Sequence, residues 1–163
     1  MRIIIAGAGE VGFHLAKLLS FESQDITLID IDKDRLNNAE NQLDIKVIKG
    51  NSCSLSILKQ ANISDSDLLI AVTAYETTNI TVCALSKQLG CKRTIARISS
   101  EEYINENADV SFRKLGVDEL ISPQSLAASL HLDPNLKRTS SLPSPTPHRS
   151  SSPKPHGASD LQS

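Results

Sequence analysis

The sequence predicts an α/β fold, a doubly wound parallel six-stranded sheet with helices on both faces. Three observations predict it. Short apolar runs alternate with amphipathic stretches through residues 1–128. The run Asp67-Leu68-Leu69-Ile70-Ala71-Val72 is apolar almost throughout, the mark of a parallel strand covered on both faces. Gly7-Ala8-Gly9-Glu10-Val11-Gly12 stands directly behind the apolar run Ile3-Ile4-Ile5-Ala6, and Asp30 closes the next apolar run.

The first strand is read over 2–6. The next segment carries Val11, Leu15, Leu18 and Leu19 on one face at helical spacing. Residues 26–30 form the second strand and 33–42 a polar helix, for which Asp32 is a fitting N-cap. The third strand is 45–49, with a turn at Gly50-Asn51-Ser52 and a short helix over 54–61 that turns Ile57 and Leu58 inward. The fourth strand is 67–72. A helix over 77–89 is stopped by Gly90 in the C′ position. The fifth strand is 93–98, a mostly helical segment spans 101–115, and the sixth strand is 118–121. Pro123 suits the first turn of a further helix.

The pattern changes near residue 130. From His131 to Ser163 the chain holds six of its seven prolines and eight serines. Such a stretch buries too little apolar surface to offset its chain entropy. The expectation is one domain over 1–128 and a disordered Pro/Ser-rich tail over 129–163. The formal net charge of -2 gives no pull toward nucleic acid, and no such partner is expected. No apolar run approaches the roughly 20 residues of a spanning helix. Met1-Arg2 leads straight into a strand rather than a signal peptide, so a cytoplasmic setting is expected. Cys53, Cys83 and Cys91 match neither a zinc site nor a disulfide framework and read as small semi-buried thiols in a reducing compartment; no metal site is expected.

Right-handed crossovers bring the C-terminal ends of all strands to one edge, where ligands bind at the point of strand-order reversal. Gly7 permits a tight turn, Gly9 lets a pyrophosphate approach the backbone, and Gly12 lets the helix lie close to the sheet. A helix starting near Glu10 presents first-turn N–H groups and a positive dipole end to phosphate. Asp30 suits ribose hydroxyls, and with no adjacent arginine it favours NAD over NADP; Arg35 is read as facing solvent. Asn51 fits an adenine contact or a plain turn residue. Thr73 and Ala74 arrive from the fourth strand. Arg97 sits in the apolar run Thr94-Ile95-Ala96-Arg97-Ile98, where an unpaired guanidinium is costly. Its partner is either a phosphate or a carboxylate, from Glu76 or a second subunit. No catalytic set accompanies the site, and His14 reads as an ordinary helical histidine. The residues therefore favour a binding module over an enzyme.

Several segments together carry a family resemblance. Residues 1–12, Leu28-Ile29-Asp30-Ile31-Asp32, Gly50-Asn51, residues 67–73, Thr94-Ile95-Ala96-Arg97 and residues 116–123 resemble the cytoplasmic TrkA subunits of Trk potassium uptake systems, and with them the RCK (KTN) domain family. The resemblance runs from Met1 to about Ala128. It implies a Rossmann-like nucleotide-binding domain, dimerisation or a higher ring, and a membrane potassium transporter subunit as partner. It also implies a peripheral position on the inner face of the plasma membrane. Carried over by motif, nucleotide contacts fall on Gly7, Ala8, Gly9, Glu10, Val11, Asp30, Thr73, Ala74 and Arg97. The implied ligand is NAD or NADH, with ATP or ADP as the alternative. A rival reading is the cofactor domain of a small NAD-dependent oxidoreductase. After Ala128 the chain departs from the family pattern of a long crossover helix and a C-terminal regulatory domain.

Overall fold

A computed structural model describes residues 1–105 and 109–125. The strands are β1 (Arg2–Ala6), β2 (Asp25–Asp30), β3 (Lys46–Lys49), β4 (Leu68–Ala71), β5 (Arg93–Arg97) and β6 (Glu119–Ile121). They form one parallel sheet in the order β3-β2-β1-β4-β5-β6. The helices are α1 (Glu10–Phe21), α2 (Lys33–Gln42), α3 (Leu55–Gln60), α4 (Glu76–Gln88) and α5 (Glu101–Ile104). The predicted doubly wound sheet is the one observed.

The apolar strands follow from burial on both faces. Ile3 and Ile5 of β1 pack with Leu15 and Ala16 of α1 and Leu36 and Ala39 of α2. Their neighbours Ile4 and Ala6 point the other way, into a cluster with Leu58 of α3 and Val82 and Cys83 of α4. Each large aliphatic side chain so buried contributes about 1.5–3 kcal/mol. Gly90 ends α4 as expected: its φ is 107, and the Cys91 N–H reaches back to the Ser86 carbonyl at 3.0 Å.

One predicted helix is largely absent. Within 101–115 only the four residues of α5 are helical among the described residues. Asn105 turns to extended backbone (ψ 129), and residues 112–116 form turns closed by Gly116 N–H to the Arg113 carbonyl. The apolar residues here do not make a stripe. Tyr103 and Phe112 meet edge to face at 5.6 Å, while Val110 and Leu115 are exposed. Residues 123–125 begin the helix expected at Pro123. The remainder of that helix and the tail expected over 129–163 lie outside the described residues.

The chain leaves β1 toward β2 and β3, then crosses to β4 on the other side of β1. The strand order therefore reverses between β1 and β4, and a crevice opens beyond their C-terminal ends.

Candidate functional site

That crevice is a cleft of about 470 Å³. Gly7, Gly9, Glu10, Val11, Asp30, Asn51, Thr73, Ala74 and Arg97 all line it. Ala8, grouped with them from sequence, is not in the lining. It is buried, and its N–H donates to Asp30 Oδ2 at 2.6 Å. A second cleft, of about 340 Å³, opens at the opposite edge of the sheet. There Arg2 is paired with Asp25 and Asp65 at 3.7 and 3.8 Å, so its charge is already matched.

The three glycines of the loop do different work. Gly7 has φ 110, and a β-carbon on it would stand 2.9 Å from the Thr73 nitrogen, so it serves the turn and the approach of β4. A β-carbon on Gly12 would lie 1.8 Å from the Gly7 carbonyl oxygen, so Gly12 lets α1 close on the loop. Gly9 differs. It is the N-cap of α1, with φ -66, and a β-carbon there would meet nothing nearer than Arg35 Nη1 at 3.8 Å. Nothing in the protein's own packing requires glycine at position 9. The missing side chain leaves room over the first turn of a helix, where an anion is favoured.

Asp30 ends β2 and is half-buried. Its Oδ1 accepts the Asp32 N–H at 2.8 Å and its Oδ2 the Ala8 N–H. The carboxylate thus ties β2 to the glycine loop. Each oxygen still has a lone pair for a hydroxyl donor. Asp32 caps α2 as expected, accepting from Asp34 and Arg35 N–H groups at 2.9 and 3.2 Å. Asn51 sits in the anticipated turn and also lines the cleft. Its Oδ1 accepts the Cys53 N–H at 2.9 Å.

Arg97 closes the far side. Its Nε is buried and has no hydrogen-bond partner, and none of the ion pairs among the described residues involves it. Glu76, one of its anticipated carboxylate partners, is engaged elsewhere: Glu76 Oε1 accepts the N–H groups of Ser99 and Ser100 at 2.6 and 2.8 Å. The Nε donor of Arg97 is therefore unspent among the described residues.

Sequence reasoning missed part of the lining. Arg35 does not simply face solvent. It lines the cleft, with its guanidinium over Gly9 and its Nε 3.5 Å from Asp32 Oδ2. The signal was available: long side chains in a helix's first turn lean back toward its N-terminus, here toward the strand ends. Ile31, Ser52, Tyr75 and Thr78 also line the cleft. Ile31 and Tyr75 are 70% and 72% exposed at its rim. His14 lies outside it, exposed, with Nδ1 against the Glu10 carbonyl at 2.7 Å. Cys83 and Cys91 are buried, and burial pushes the Cys83 thiol up to about 12, so it stays protonated.

Known proteins share this sequence pattern and this fold. The sequence pattern of the TrkA-N domain matches residues 3–123. A Trk system potassium uptake protein TrkA homolog from Methanothermobacter thermautotrophicus is 36% identical over 128 residues, covering 78% of this chain and 57% of the relative. The Trk system potassium uptake protein TrkA of Vibrio alginolyticus is 38% identical over 132 residues, 79% of this chain and 29% of that protein. The chain thus spans between about a third and somewhat over half the length of these relatives. Among solved structures, the GsuK RCK domain superposes with a TM-score of 0.62 at 26% identity, covering 86% of this chain and 29% of that one. The GsuK channel bound to NAD shares the fold, with a TM-score of 0.61 at 16% identity over 74% of this chain and 21% of that one. With its glycine loop, its switch-point cleft and a family match over most of its length, the chain belongs to the TrkA-N domain family.

Proposed function

We propose that this chain binds NAD or NADH in the switch-point cleft and serves as the nucleotide-sensing regulatory part of a membrane potassium uptake system. The observation that carries the nucleotide is Arg97, which lines the same cleft as the open position over Gly9 and whose buried Nε has no hydrogen-bond partner among the described residues. A buried guanidinium donor without a partner is costly, and an anionic phosphate satisfies it with a charge-assisted bond. The residues present fit such a ligand. The α1 N-terminus and Arg35 would hold the pyrophosphate, Asp30 the adenosine ribose and Asn51 the adenine. The nucleotide itself would supply only charge and shape.

The regulatory role draws on the relatives, which are named as potassium uptake proteins, and on GsuK, a channel solved with NAD. A nucleotide shifts a two-state assembly only through its preference for one state, about 1.4 kcal/mol for each tenfold. The partner would be a Trk-type transporter subunit, which would read the geometry of this domain assembled as a homodimer or ring on the inner membrane face. Binding rather than catalysis is the activity. A second reading keeps the site and changes the ligand: Arg97 also suits the terminal phosphate of ADP or ATP, and GsuK has been solved bound to ADP.

Calorimetric titration of the full chain with NAD, NADH, ATP and ADP tests this. Binding of NAD or NADH is expected, reduced in Arg97→Ala by about tenfold or more, the worth of a hydrogen bond to a charged group. Tighter ATP or ADP would replace the ligand. No binding by any of the four, or binding indifferent to Arg97→Ala, would overturn the assignment.

A further inference from the structure

Asn79 lies in the first turn of α4, outside the cleft lining, and is 1% exposed. Its carboxamide is fully used. Oδ1 accepts from the Thr73 N–H at 2.9 Å and the Thr73 hydroxyl at 2.7 Å. Nδ2 donates to the Thr73 carbonyl at 3.1 Å and the Arg97 carbonyl at 2.9 Å. Two donors face the oxygen and two acceptors face the nitrogen, so the orientation of the group is determined by its surroundings.

The placement matters because the β4–β5 ladder ends at Ala71 opposite Ala96. Beyond it the backbone carries two cleft residues, Thr73 and Arg97, that strand pairing between β4 and β5 no longer joins. Asn79 continues the join with side-chain bonds. A serine cannot span the gap, and an aspartate would turn an acceptor toward two carbonyls. We propose that Asn79 is the positioning residue of the anion-binding half of the cleft, holding the ends of β4 and β5 together so that Arg97 is preorganised for phosphate. This rests on the nucleotide reading above. Preorganised donors hold a charge without reorganising, and that is where the affinity would come from.

The test is a double-mutant cycle on the full chain with ADP, the group common to all four nucleotides. Asn79→Ala, with a cooperative melt retained, is expected to bind ADP about tenfold more weakly, the order of one charge-assisted contact. Arg97→Ala is expected to lose a similar factor. The double variant should lose little more than either alone, because Asn79 acts through Arg97. Should Asn79→Ala fail to melt cooperatively, Asn79→Ser takes its place, with the same outcomes expected. Losses that multiply in the double variant, or an Asn79 variant that binds like wild type, would overturn the positioning role alone. Wild-type chain that binds neither ADP nor NAD would overturn the nucleotide reading and this proposal with it; a chain that binds NAD alone carries the same cycle, with the same outcomes, on NAD.

Discussion

At the scale of single residues, Gly9 and Gly12 differ by what a β-carbon would meet. At position 12 it would collide with the Gly7 carbonyl at 1.8 Å, whereas at position 9 the nearest atom is 3.8 Å away. Gly12→Ala is therefore expected to destabilise the fold by about 3 kcal/mol or more, as overpacking against backbone does. Gly9→Val should cost no more than about 1 kcal/mol of stability, since surface changes are cheap, yet abolish nucleotide binding by filling the space over α1. Thermal melts and calorimetry on the two variants check this. A Gly9→Val chain that binds normally would place the phosphates elsewhere. Spacing alone gives each glycine of the loop a duty; the distances show which of those duties the protein's own packing requires.

Elements are joined here by a few buried polar bonds as well as by apolar contact. Asp118 precedes β6 and binds Lys87 of α4 and the Thr94 N–H of β5, at 2.8 and 2.9 Å. Thr94 is fully buried, and its hydroxyl donates to the Gly116 carbonyl at 2.6 Å. Burial pushes the Asp118 carboxyl up, but Lys87 and the Thr94 N–H outweigh it and hold it below the ordinary carboxylate range. Its folded pKa thus lies below the unfolded value. The anion stabilises the fold fully above the unfolded value of about 3.9, and that contribution is lost as pH falls through the folded value. Asp118→Asn should be less stable than wild type at pH 7 by about 1 kcal/mol, solvent screening keeping it small. The gap should close in melts below about pH 4. A gap independent of pH would deny the ion pair its role. The segment 101–115 shows the limit of element-level reading. Its composition suits a helix, but Tyr103 and Phe112 pack on each other and on the sheet cluster at non-helical spacing.

For the molecule as a whole, the two clusters that sandwich the sheet are built, among the described residues, from side chains between Ile3 and Ile121. Residues 1–128 expressed alone are therefore expected to melt cooperatively and to bind ADP within about twofold of the full chain, since the binding backbone is tied down inside this unit. Loss of cooperative melting would show that residues after 128 belong to the folded core. No helix among the described residues is long and apolar enough to cross a membrane. The relatives are longer than this chain and extend beyond the matched region.

The sequence by itself determined the sheet, its parallel sense, the glycine loop and nine of the ten residues placed at the cleft. These are legible because periodicity and turn chemistry act locally, and because a parallel sheet brings every strand's C-terminal end to one edge. Only the tertiary structure decided that Arg35 leans over Gly9, that Ala8 is buried behind Asp30, and that Glu76 serves the Ser99 and Ser100 amides rather than Arg97. It alone brought Asn79 to Arg97, 18 residues away along the chain. Which donor meets which acceptor depends on the distance between elements, and no local pattern in the sequence carries that distance.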